Sequence, residues 1–162
     1  MTIEKANSND YKILTEITKK SKAFWGYSDA QIEIWSSFLT ITEEYIETKS
    51  IFKLIVYNEI VGYYSYFYES KNNIKLDNLF ILPEFIGKGF GKVLMLDFFK
   101  RLENSTAEKV TLDSEPNAEN FYLKFGFVTI THIETSIKDR FMPIMEFKLS
   151  KKKIEPLLNF IS

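Results

Sequence analysis

The chain has 162 residues, enough for one domain with a substantial core and too few for two comfortable ones. Its formal net charge of −1 provides no basic field toward nucleic acid. The absence of cysteine excludes disulfides, thiolate metal sites and an acyl-cysteine intermediate.

Hydrophobic residues make up 45% and charged residues 27%, both ordinary for a globular protein, but the aromatic share of 16% is high. Fifteen Phe and nine Tyr are most cheaply placed in a core and an apolar pocket. The opening segment MTIEKANSND lacks an apolar signal-type region. No run approaches the roughly 20 apolar residues needed to span a bilayer. The expectation is therefore a cytoplasmic protein with neither membrane nor nucleic acid as partner.

In chain order, residues 2–6 predict a short first strand. Asn9 or Asp10 is placed to cap a helix carrying Tyr11, Leu14 and Ile17. Trp25-Gly26-Tyr27 interrupts it, and Ser28 or Asp29 caps a second helix with Ile32, Trp35, Phe38 and Leu39 on one side. Thr42, Glu43, Glu44 and Tyr45 suggest one more helical turn with a solvated acidic face. From Ile51 the period changes. IFKLIVYN and IVGYYSYFYE are rich in β-branched and aromatic residues, with Asn58-Glu59 as a tight turn between them. Ser70–Asn73 is a second turn, and residues 74–82 form the third strand of an antiparallel run.

After the glycines at 87–91, Phe90, Val93, Leu94, Phe98 and Leu102 share a helical face, with Asp97 and Arg101 paired outside. Lys109–Asp113 is a short strand. Pro116-Asn117 opens another helix that Gly126 ends as a left-handed cap. Residues 127–137 and 141–149 are the last two strands. The tail KKKIEPLLNFIS reads as a short docked helix or a frayed end, and its Lys151–Lys153 run as a solvated patch. With no repeat, low-complexity segment or linker, residues 1–162 form one α/β domain around a mixed, mostly antiparallel sheet of six or seven strands and about four helices, with 150–162 as C-terminal helix or tail.

The segment LDNLFILPEFIGKGFGK, Leu76 to Lys92, carries the chemistry. A strand runs through a proline into Gly87, Gly89 and Gly91 and then into a helix. Alternate glycines expose backbone N–H groups, and a helix N-terminus adds unpaired donors and the positive end of its dipole. That combination suits a phosphate. It is not a Walker A loop, because no glycine–lysine–serine/threonine ending is present, and the glycine spacing differs from the dinucleotide fingerprint. Lys88 and Lys92 add positive charge.

Strand, proline, spaced glycines and helix together resemble motif A of the GCN5-related N-acetyltransferases, the GNAT superfamily. PNAENFYLKFGF at Pro116–Phe127 resembles motif B of the same family, and SKAFWGYSDAQI and DRFMPIMEF are similar to segments of a bacterial subgroup. The order β-α-α-β-β-β-α-β-α-β-β is similar to that fold across nearly the whole chain. One departure is Ile86, where the family commonly has Gln or Arg.

The resemblance implies an acetyl-CoA-dependent N-acetyltransferase in which a primary amine, of a small molecule or a peptide, attacks the thioester directly. It implies that the backbone of Leu79, Phe80 and Ile81 pairs with the pantetheine arm. The N–H groups of Gly87, Lys88, Gly89, Phe90, Gly91 and Lys92 would hold the pyrophosphate, and Asn117 and Asn120 would bond the carrier arm or nucleotide. Near Ile81 a backbone N–H would stabilise the oxyanion. Tyr122 holds the position of the family's general acid, the alternative being a packed core tyrosine. Strand parity puts Asp77 on the face of Leu79 and Ile81, as amine ligand or base, with Glu115 as second candidate and a solvent-facing carboxylate as the plain alternative.

Trp25 and Tyr27, with Trp35 nearby, are either ordinary packing or a wall covering the acceptor amine. Arg140 either binds a substrate carboxylate or ion-pairs at the surface. His132, the sole histidine, excludes a multi-histidine metal site, so no metal is expected. A non-catalytic acyl-CoA sensor, and a nucleotide-binding domain unrelated to acyl transfer, are the rival readings. Pairing of two copies through the last strands or the C-terminal segment is left open.

Overall fold

The computed structural model describes residues 1–158. Its seven strands are β1 (Thr2–Lys5), β2 (Ser50–Val56), β3 (Glu59–Ser70), β4 (Asn73–Ile81), β5 (Lys109–Asp113), β6 (Val128–Glu134) and β7 (Phe141–Lys148). They are ordered β1-β2-β3-β4-β5-β7-β6. The helices among the described residues are α1 (Tyr11–Ala23), α2 (Asp29–Ile34), α3 (Ser36–Leu39), α4 (Glu43–Thr48), α5 (Phe90–Leu102), α6 (Glu119–Leu123) and α7 (Lys151–Leu158). The mixed α/β architecture and its mostly antiparallel strands agree with the sequence reading; the helices are more numerous and shorter. The chain divides into two compact units, one of residues 1–66 with 78–98, the other of residues 67–77 with the chain from Phe99 onward.

In the first unit β1 and β2 are antiparallel with Ile3 opposite Leu54, and β2 and β3 are antiparallel with Phe52 opposite Tyr64. Tyr57 and Asn58 both have positive φ, 52° and 64°, and join Val56 to Glu59 in a two-residue hairpin. The turn thus lies one residue before the expected Asn58-Glu59, because a two-residue hairpin needs two left-handed residues and the polar Asn58 supplies only one of them. Ala6, Leu14, Ile17, Ile41, Ile46, Ile51 and Tyr63 form one buried cluster. Inside it Thr18 and Tyr63 hydroxyls meet at 2.5 Å.

Asp10 does not cap α1 with its side chain. Asn7 instead caps a 3-10 turn at Ser8–Asp10. Asp10 accepts from Asn7 N at 2.8 Å and from the buried Lys53 ammonium at 2.8 and 2.9 Å. Its carboxylate therefore neutralises a charge on β2 that would otherwise be buried alone.

The expected single helix after Ser28 splits at Trp35, whose φ of −86° and ψ of 2° leave the helical range. Ser28 does cap α2, accepting from Gln31 N. No residue of α2 is buried, and Phe38 is 85% exposed, so the predicted apolar face buries only Leu39. Asp97, expected outside on α5, accepts a 2.6 Å hydrogen bond from the buried Tyr64 hydroxyl.

In the second unit β4 runs parallel to β5 over Asn73–Lys75, and β5 and β7 are antiparallel with Leu112 opposite Met145. Phe99, Phe125, Phe127 and Phe147 pack ring on ring, with Phe99 and Phe147 centroids 4.9 Å apart. Gly126, at φ 89°, ends the turn after α6 as expected. Strand β6 is paired on one side by β7 and exposed along nearly its whole length.

Candidate functional site

The phosphate-type loop is assembled within the first unit. The end of β4 is fixed by β3: a Cβ on Gly62 would lie 2.7 Å from Phe80 O, so only glycine allows the two backbones to come this close. Leu82 N donates to Val61 O at 2.8 Å. Leu79 and Phe80 are half-buried and Ile81 is buried. Pro83–Phe85 form a 3-10 turn, closed by Ile86 N donating to Pro83 O at 3.1 Å.

Gly87 and Gly89 then take φ of +80° and +86°, and a Cβ on either would meet nothing within 4 Å. The left-handed conformation is costly for other residues, and the empty space leaves room for a ligand against bare backbone. Val93 N donates to Gly89 O at 3.2 Å and so opens α5. Within that helix Phe90, Gly91 and Lys92 have no carbonyl one turn back, so their N–H groups and the dipole favour an anion there. Gly87, Lys88, Gly89 and Lys92 are exposed. The Phe85 and Phe90 rings lie 5.7 Å apart, with the Lys88 ammonium 5.4 Å over Phe85. Ile86 is half-buried and contributes no charge. The cradle of open left-handed glycines at a helix start fits a diphosphate without that side chain.

The remaining first-unit candidates separate. Trp25 packs edge-on to Phe24 at 5.3 Å, whereas Tyr27 packs edge-on to Trp35 at 5.0 Å. A polar cluster that sequence reasoning missed joins Asn78, whose amide donates to Tyr45 Oη at 2.8 Å and Ser65 Oγ at 3.0 Å. No local spacing ties residues 45, 65 and 78, so no motif announces it.

In the second unit Tyr122 lies on α6, 8% exposed, its ring edge-on to Phe121 and Phe127. Burial alone pushes its phenol above the usual tyrosine range, so it stays protonated through neutral and mildly alkaline pH.

Glu115 and Arg140 face each other at 2.9 Å, with side chains 11% and 12% exposed. Asn117 Nδ2 lies 3.4 Å from the other Glu115 oxygen. The structure thus brings Glu115, Asn117 and Arg140 together as one charged cluster. Asn117, Asn120 and Asp77 are exposed. His132 is exposed, 3.8 Å from Glu119. Among the described residues no group of three or more His, Cys, Asp or Glu is placed for a metal, and no helix is long and apolar enough to cross a membrane.

Comparison with known proteins bears on this geometry. A family model described as an acetyltransferase (GNAT) domain matches residues 25–148. The uncharacterized N-acetyltransferase ycf52 of Gracilaria tenuistipitata var. liui is 30% identical over 99 residues, 61% of this chain. The match spans about half, 50%, of that relative's length. Among solved structures, the PaiA N-acetyltransferase of Thermoplasma acidophilum, in complex with coenzyme A, shares the fold with a TM-score of 0.74 at 22% identity, covering 92% of this chain and 100% of the other. The putative acetyltransferase yncA of Salmonella typhimurium, with its cofactor acetyl-CoA, superposes with a TM-score of 0.66 at 17% identity over 93% and 94% of the two chains.

Proposed function

The chain belongs to the GNAT acetyltransferase family, and from that membership we propose that it is an acetyl-CoA-dependent N-acetyltransferase acting on a primary amine. The observation that carries the reading is the cradle of Gly87 and Gly89, left-handed and open, at the head of the 13-residue helix α5. Coenzyme A carries a diphosphate, and backbone N–H groups from Gly87 to Lys92 suit it without a required side chain. Bound acetyl-CoA would supply an activated thioester and a thiol leaving group.

The backbone of Leu79, Phe80 and Ile81 is assigned to the amide-bearing arm of the cofactor. Support comes from β4 itself, whose parallel register with β5 covers only Asn73–Lys75. An extended backbone can then accept a further strand-like partner. Asn117 and Asn120, both exposed amides, are assigned to the carrier arm or nucleotide end.

Tyr122 is assigned to the leaving sulfur. A phenol that burial keeps protonated donates a hydrogen bond toward developing negative charge rather than losing its proton early. The reacting nitrogen must be uncharged before it attacks, and Asp77 is preferred for receiving its proton. Glu115 is the second candidate, and Arg140 and Asn117 bond its two oxygens. The same pairing favours a structural role for Arg140 over carboxylate binding. Trp25 and Tyr27 remain assigned to the acceptor side.

Thermal denaturation with acetyl-CoA, CoA and ATP tests the donor assignment. Acetyl-CoA at 100 times its Kd stabilises by about 2.7 kcal/mol, a shift of about 5–10 °C for a chain of this size. Stabilisation by ATP but not by acetyl-CoA would remove the reading. Thiol release from acetyl-CoA across amine panels then separates an enzyme from a sensor.

A further inference from the structure

A cation is already held by aromatic rings in the first unit, away from the glycine loop in sequence. The Tyr27 and Trp35 rings stand edge to face, 5.0 Å apart at 75°. The Lys22 ammonium lies 5.4 Å from the Tyr27 centroid and 5.4 Å from the Trp35 centroid. The three residues come from three pieces of chain: the last turn of α1, the segment after the Gly26 turn, and the break between α2 and α3. All three are half-buried. Two ring faces offered to one ammonium make a corner whose quadrupoles select positive charge over a neutral group of the same size.

The segment that supplies Trp35 is lightly held. Helix α2 buries no residue, and Phe24, Ile34 and Phe38 are 49%, 71% and 85% exposed. Little core packing is lost when a corner on such a segment exchanges its occupant.

We propose that the Tyr27–Trp35 corner is a recognition site for the ammonium of the amine acceptor, and that Lys22 is an internal occupant which the acceptor displaces. Naming the ligand as the acceptor rests on the acetyltransferase reading; the cation site does not. The chemistry narrows the acceptor class. A nitrogen that attacks a thioester must be uncharged, whereas the corner retains a charge. One nitrogen cannot do both at once, so the acceptor carries a second ammonium besides the reacting amine. Aliphatic diamines and polyamines meet that requirement.

Tetramethylammonium is the probe, because it is a cation with no transferable proton. It is titrated against the intrinsic fluorescence of the wild-type chain and of Trp25→Phe, in which Trp35 is the sole tryptophan, with sodium chloride and tert-butanol as ionic and neutral controls. A saturable change with tetramethylammonium alone is expected. Lys22→Met keeps the apolar stem, and its midpoint falls about threefold or more as the internal competitor goes. In turnover, the same variant lowers KM for 1,4-diaminobutane and leaves KM for butylamine unchanged. An equal response to tert-butanol, an absent response in the wild type, or weaker tetramethylammonium binding by Lys22→Met overturns the site. Saturable tetramethylammonium binding in a chain that acetyl-CoA does not stabilise would leave the cation site standing and remove the acetyltransferase reading instead.

Discussion

Residues 79–92 and residues 113–140 are assigned complementary parts of one reaction, yet they are built differently. On the proposed reading the first segment works through main chain. Its design elements are a glycine that lets two strands touch, two left-handed glycines over open space, and a helix start. The second works through side chains whose state depends on what surrounds them: a phenol altered by burial, and a carboxylate answered by a guanidinium. On the proposed reading, backbone recognition would tolerate Ile86, because N–H donors persist whatever side chain is attached. Side-chain chemistry does not tolerate change in this way, since removing one partner alters the other.

That contrast makes Tyr122→Phe the most consequential substitution. Turnover should fall about 10²- to 10⁴-fold while CoA affinity changes less than about threefold. Steady-state kinetics with a calorimetric Kd checks both, and an unchanged turnover ends the assignment.

The Glu115–Arg140 pair comes next. Glu115→Gln or Arg140→Met alone should cost about 3–5 kcal/mol, and the double variant distinctly less than the sum, since each single change leaves a buried charge behind. Urea denaturation of the four chains gives the coupling directly; additive losses would mean the two groups act apart.

On the backbone side, Gly89→Val forces a β-branched residue into left-handed φ and should weaken acetyl-CoA about 10- to 100-fold. Lys88→Ala, removing only a side chain from the same loop, should cost less than about fivefold. Reversal of that ranking in binding titrations would show that the loop works by charge rather than by main-chain geometry.

The smallest effect is a pH dependence. Burial raises the Tyr122 phenol above the usual value, so above about pH 10 the unfolded chain loses this proton while the folded chain keeps it. The folded state then binds more protons, and its stability declines as pH rises, by at most about 1.4 kcal/mol per pH unit from this group. Below about pH 10 the contribution is intact. Subtracting Tyr122→Phe from the wild type in urea melts at pH 9, 10 and 11 isolates it among the other tyrosines.

Much of the fold was readable locally. Strands β2 to β4 announce themselves by β-branched and aromatic runs, α5 by its apolar spacing, and the turn after α6 by Gly126. The reading failed where a long-range partner overrode a local pattern. Asp97, read only as a partner for Arg101, also accepts from Tyr64, 33 positions earlier. Asp10 looked like a cap until Lys53 claimed it. Phe38 fitted a helical face that the break at Trp35 dissolved.

By itself, then, the sequence determined the order of elements and the character of the glycine loop, because both are written in backbone preferences of neighbouring residues. Only the tertiary structure decided who meets whom: Glu115 with Arg140, Asn78 with Tyr45 and Ser65, Lys22 with Trp35. Those pairings depend on burial and on approach of distant strands and helices, and no spacing along the chain specifies them.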